Sequence, residues 1–220
     1  MADKQPEEQE MSKTLTDKSV RTFLDELSSA APAPGGGSVA ALSGALGAAL
    51  VSMVCNLTLG KKKYVAVEKD VARMLDRSEA LRHRLADLLE ADVQVYTQVS
   101  QAMKLPRDTD EQKAARTKAL QSTLQAATEV PMQVAEACVE VIDLCRSVAK
   151  KGNVNVVSDA GVAVLMAEAG LRSAALNVLV NLGWIKDEAF VEQNRAKLEA
   201  LLEGKSALRD EVYELVKSKL

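Results

Sequence analysis

The chain has 220 residues, 47% hydrophobic and 27% charged, enough for one domain with a sizeable core or two small ones. A net charge of −3 gives no general electrostatic drive toward nucleic acid or acidic membranes, and aromatics at 3% argue against base stacking. A core of Ala, Leu and Val with so few rings points to packed helices rather than sheets.

Residues Met1 to Ser12 are polar and acidic, without the basic-then-apolar order of a signal peptide. Residues 1–15 are expected to be a disordered tail and 16–220 a single helical domain. Thr16 or Asp17 can cap a first helix whose apolar face is Val20, Phe23, Leu24 and Leu27. No charge falls between Glu26 and Lys61. Inside that run, Pro34, Gly35, Gly36 and Gly37 mark a turn, and the residues after Ser38 suit a helix. Every fourth position then reads Gly36, Ala40, Gly44, Ala48, Ser52 and Asn56, a helix face with almost no side chain. Such a face lets another backbone come very close. Free N–H groups of the glycine turn can hold an anion or an amide-rich ligand, although a glycine run before a helix is more often only a loop and a cap. It is not a nucleotide loop, because no Gly-Lys-Ser/Thr ending follows. The run is long enough to span a bilayer, but prolines and glycines break it and Ala, Gly and Ser dominate it, so a buried helix is expected and no membrane partner.

Gly60-Lys61-Lys62-Lys63-Tyr64 is a charged break, either a solvated helix end or a meeting point for an acidic ligand. A long helix is expected from about Val67 to Met103. On it, Asp92 and Tyr96 are four apart, face the same way, and lie among apolar residues. Thr109 and Gln112 form a capping box for the next helix. Pro131 kinks that helix or starts a new one, and Lys150-Lys151-Gly152 ends it. In the polar turn that follows, Asn155, Ser158 and Asp159 stand out, and Ser158 or Asp159 can cap the next helix. That helix carries Ala163, Ala167, Gly170, Ala174, Asn177 and Asn181 on one seam, the natural partner for the bare face after Gly36. Buried asparagines there need hydrogen-bond partners, from backbone or from a ligand. Asp187 to Leu220 reads as two amphipathic helices parted near Gly204.

Cys138 and Cys145 share a helix about 10 Å apart by rise per residue, too far for a disulfide. Three scattered cysteines fit a reducing compartment, hence the cytoplasm. No Cys/His cluster has metal spacing, and His83, the only histidine, sits between arginines on a polar face. The expected fold is all-α, a bundle of long helices in one domain. Its many outward Val and Leu positions suggest a homodimer.

An ordered set of motifs resembles the C-terminal family of formiminotransferase-cyclodeaminases, which includes the stand-alone methenyltetrahydrofolate cyclohydrolases. The motifs are Pro-Ala-Pro-Gly-Gly-Gly-Ser-Val-Ala-Ala (32–41), Gly-Lys-Lys-Lys-Tyr (60–64), Lys-Leu-Pro (104–106), Val-Pro (130–131), Ser-Asp (158–159) and Asn-Val-x-x-Asn-Leu (177–182). The segment around Val154 departs from the pattern, where a proline is expected. The resemblance covers about Thr16 to Leu202. It implies an all-helical homodimer that binds a folate, as such or polyglutamylated, as substrate and uses no cofactor. With no room for a transferase domain, hydrolysis of 5,10-methenyltetrahydrofolate to 10-formyltetrahydrofolate is the leading expectation. A cyclodeaminase releasing ammonia and a non-catalytic helical dimer are the alternatives.

That hydrolysis needs a group to take a proton from water, to balance the cation and to protonate N5, and a carboxylate suits the task. Asp159 is the first candidate, more a counter-charge than a base at a helix N-terminus. Asp92 with Tyr96 is the second. Gly35, Gly36, Gly37 and Ser38 would approach or hydrogen-bond the pterin, with Asn155, Ser158, Asn177 and Asn181 positioning it. Lys61, Lys62, Lys63 and Tyr64 would meet the glutamate tail.

Overall fold

The computed structural model describes residues 14–220. The tail expected over residues 1–15 lies, up to residue 13, outside the described residues. From Leu15 onward the chain is structured. Leu15–Asp17 is a 3-10 turn, and α1 (Val20–Leu27) is capped by Ser19, whose Oγ accepts the Thr22 N–H at 3.1 Å. Thr16 and Asp17 therefore belong to the turn and do not cap α1. The expected apolar face of α1 is only partly used: Phe23 is buried, while Val20 and Leu24 are 77% and 54% exposed.

Two central helices, α2 (Gly36–Asn56) and α5 (Val157–Leu182), pack on one another. Around them lie α3 (Glu68–Met103) and α4 (Asp110–Lys151), of 36 and 42 residues. At 1.5 Å per residue these two run about 54 and 63 Å, well beyond the ends of the central pair. The last helices, α6 (Glu188–Leu202) and α7 (Lys205–Lys217), close one flank. Gly204 joins them at φ 70°, a left-handed conformation suited to glycine.

The bare seams meet as their spacing requires. A Cβ on Gly47 would lie 2.9 Å from the Ala163 carbonyl oxygen, and one on Gly170 would lie 2.9 Å from that of Ala40. Side chains there would push the two backbones apart. Both helices are long and apolar enough to cross a membrane, yet 61% and 50% of their apolar windows are buried in the bundle.

Local signals held where they were self-contained. The Thr109–Gln112 capping box forms in both directions, and α4 runs unbroken through Pro131. Two helix starts differ from expectation. α2 begins at Gly36, so Gly36 and Gly37 are its first turn and only Gly35 is extended. α5 begins at Val157 with no side-chain cap, so Ser158 and Asp159 lie inside its first turn. Asn153 organises that turn from outside the helix, its Oδ1 accepting the Asn155 N–H at 3.1 Å.

Candidate active site

Because α2 starts where α5 ends, the bundle has an upper end at which Gly35–Ser38 and Asn177–Trp184 come together. α3 and α4 overshoot this end and wall it. The result is a cleft of about 320 Å³, lined by α3 residues from Asp92 to Met103, by Leu124, Ala127 and Pro131 of α4, and by Pro32 and Ala33. That is the lower end of small-molecule pocket sizes. Among the described residues, Asp92 is the only charged side chain in the lining.

Asp92 docks on the first turn of α2. Ser38 Oγ donates to its Oδ2 at 2.8 Å. Burial raises the Asp92 pKa above the ordinary carboxylate value, and hydrogen bonding from Ser38 offsets only part of that. Close docking also explains Gly37: a Cβ there would sit 2.0 Å from Asp92 Oδ1. Gly37 is thus needed for the approach of a carboxylate. One turn further along α3, Tyr96 lines the same cleft and is 45% exposed.

The asparagines share the cleft lining with the carboxylate. Asn177 donates to the Ser173 carbonyl at 2.8 Å and Asn181 to that of Ala127 at 3.1 Å. Both are half-buried rather than fully buried. Each spends one amide hydrogen on backbone, which leaves the other hydrogen and the oxygen for a ligand.

The remaining sequence-derived candidates collect at the lower end, where α2 stops and α5 starts. Lys61, Lys62, Lys63, Asn155 and Ser158 are exposed there, and Asp159 is half-buried. Tyr64 OH donates to Asn153 Oδ1 at 3.4 Å and accepts the Val154 N–H at 3.0 Å. Asn153 in turn bonds Thr58 and the Leu57 carbonyl, both at 2.8 Å. Eighteen residues separate Asp159 from Asn177 on α5, about 27 Å of helix. Within the chain, then, Asp92 is in the cleft and Asp159 is not.

The family model described as formiminotransferase-cyclodeaminase matches residues 19–200. The chain belongs to the formiminotransferase-cyclodeaminase family. A methenyltetrahydrofolate cyclohydrolase of Methylorubrum extorquens is 56% identical over 92% of this chain and 98% of its own. The formimidoyltransferase-cyclodeaminase of Rattus norvegicus is 37% identical over 86% of this chain but only 35% of its own. Among solved structures, a formiminotetrahydrofolate cyclodeaminase of Thermotoga maritima superposes with a TM-score of 0.77 at 32% identity, covering 94% of this chain and 97% of that one.

Sequence reasoning missed one prominent part of this family member's cleft: Trp184, at its mouth and 62% exposed. The 3–4 spacing of Asn177 and Asn181 continues to position 184, so extending the seam past Gly183 would have found it. The apolar wall from Val95, Val99, Leu124 and Val180 gave no such signal, since those residues read equally well as core.

Proposed function

We propose that the chain hydrolyses 5,10-methenyltetrahydrofolate to 10-formyltetrahydrofolate in the upper cleft, with Asp92 as its base. The observation that carries this reading is a half-buried carboxylate of raised pKa, held by Ser38 in a cleft whose other lining side chains are uncharged among the described residues, in a chain 56% identical to a cyclohydrolase. The substrate is an amidinium cation, electrophilic without help from a cofactor. Water adds to the bridge carbon and Asp92 takes its proton. The C–N5 bond then breaks while Asp92 returns that proton to N5. The adduct hydroxyl proton leaves to solvent and N10 keeps the formyl group. A raised pKa makes Asp92 a stronger base than an exposed carboxylate. Tyr96, Gly35, Gly36, Asn177 and Asn181 orient the ring from the walls.

The working unit in this proposal is a homodimer. Leu46 and Met53 on α2, with Val162, Leu165, Leu176 and Val180 on α5, are exposed apolar side chains at helical spacing, interrupted on α5 by the exposed Arg172. Two helices side by side present a face about 20 Å by 30 Å, roughly 600 Å² before its rim. That approaches the ~800 Å² per partner of a stable dimer. We place the two-fold axis perpendicular to the helices, so that the two copies pair antiparallel across this face. The lower end of one copy, with Lys61, Lys62, Lys63, Asn155, Ser158 and Asp159, then meets the cleft of the other. Asp159 serves there as counter-charge to the cation, and the lysines face a polyglutamate tail. The three thiols are free and buried, in keeping with the reducing cytoplasm.

A second reading has its own support, the cyclodeaminase named for the Thermotoga structure. The test is loss of the methenyl chromophore against the uncatalysed rate in the same buffer, for wild type and Asp92→Asn. Acceleration that Asp92→Asn abolishes is the expected result. No acceleration by wild type overturns the reading, and ammonia release from formiminotetrahydrofolate would then establish the alternative.

A further inference from the structure

Trp184 is the chain's only tryptophan, and its backbone is held far more firmly than its side chain. Its N–H bonds the Asn181 carbonyl at 3.0 Å. Its carbonyl accepts from Gln121 Nε2 at 2.9 Å, while Gln121 Oε1 accepts the Lys186 N–H at 2.7 Å. Ile185, between them, is buried. One glutamine on α4 thus clamps both sides of the loop, and a large apolar ring is left standing at the cleft mouth. On α3, Tyr96 supplies the second ring of the lining. Among the described residues, the only charge in that lining is the negative one of Asp92.

Two aromatic faces and one anion make a receptor for a flat cation. Ring faces carry negative potential and attract a cation best when it is partly desolvated. We infer that Trp184 is a binding residue that stacks on the planar, positively charged one-carbon bridge of the substrate, opposite Tyr96. This rests on the reaction proposed above, in which the bridge carbon is cationic only before water adds. The indole therefore stabilises the bound substrate more than the neutral adduct, so it lowers KM without raising kcat.

The experiment compares Trp184→Phe and Trp184→Ala with wild type. Trp184→Ala is expected to raise KM about tenfold, the loss of one face from a partly desolvated cation, with kcat equal to wild type or slightly higher. Trp184→Phe, which keeps a ring, is expected to restore most of the KM. Sedimentation checks that both variants keep the wild-type oligomeric state. In the inactive Asp92→Asn protein, saturation with 5,10-methenyltetrahydrofolate is expected to shield the single tryptophan from acrylamide quenching. Wild type that turns over while Trp184→Ala keeps its KM within twofold overturns the assignment and leaves the reaction standing. So does a tryptophan already shielded without ligand, or a Trp184→Ala whose only defect is dissociation, since the ring then belongs to the subunit contact. Wild type without turnover overturns the reaction itself, and the assignment with it.

Discussion

The two ends of the α2–α5 pair are built from the same residue types and do different things. At the upper end Gly, Ser, Asp, Asn and Tyr surround open space, and a half-buried carboxylate has only Ser38 for company. At the lower end Asn153, Tyr64 and Thr58 bond one another and the backbone, and that polar core is closed. What separates a site from a latch here is whether the polar atoms are already answered by protein. A half-buried carboxylate answered by one hydroxyl is held ready for something else, at a cost in stability.

The sharpest way to break this contrast is Asp92→Asn. Loss of the base is expected to lower kcat by about 10²–10⁴-fold, read from the methenyl chromophore, with Ser38 still able to donate to the amide oxygen. Stability should move the other way. Burial raises the Asp92 pKa, so the folded state holds this proton more tightly than the unfolded chain does. Stability from this group is fully present below the unfolded value of about 3.9 and is lost as pH rises through the folded value. At neutral pH the ionised group opposes folding, and Asp92→Asn is expected to melt at or above wild type in calorimetry. The acid limb of kcat/KM should lie above the ordinary carboxylate range and vanish with the carboxylate.

Gly37→Ala attacks the same docking from the other helix. Its methyl would meet Asp92 Oδ1 at 2.0 Å, so the carboxylate must move. A displacement of that order is expected to cost about 10²-fold in kcat/KM, with a lower melting temperature as well. Unchanged kinetics in Gly37→Ala would show that the observed position of Asp92 is not the working one.

Pairing of unlike ends can be tested by mixing. If Asp159 of one copy serves the cleft of the other, Asp92→Asn and Asp159→Asn are each impaired, but their mixed dimer carries one intact site. Unfolding and refolding the two together should recover roughly one quarter of wild-type activity by random reassortment of an isologous dimer. Full activity of Asp159→Asn alone would confine the chemistry to a single protomer's cleft.

Which parts of this were legible in the sequence follows from how far each signal reaches. The small-residue seams on α2 and α5 could be matched from their spacing alone, because each is written along one helix and close approach needs small residues on both. The Thr109–Gln112 cap was legible for the same reason. The starts of α2 and α5 were not: at the start of α2, Asp92 of α3 docks against Gly37, and ahead of α5, Asn153 caps a short 3-10 turn while anchored on Thr58 and Leu57 nearly a hundred residues away. The candidate site residues form a coherent chemical set in the sequence, but their division between two ends depends on helix order and direction, which no local pattern records.

The lower end offers smaller effects that still discriminate. Tyr64→Phe removes a hydroxyl bonded to Asn153 and Val154 and is expected to cost about 1 kcal/mol of stability, measured by urea unfolding, with kinetics of the folded protein within twofold. Replacing exposed Lys61, Lys62 and Lys63 together by Ala should leave stability within about 0.5 kcal/mol. Its effect belongs on KM for polyglutamylated substrate alone, a loss of about three- to tenfold that fades with added salt as expected for exposed charges. An equal loss with the monoglutamate would place the lysines against the pterin instead, and no loss with either would leave them as the solvated end of α2.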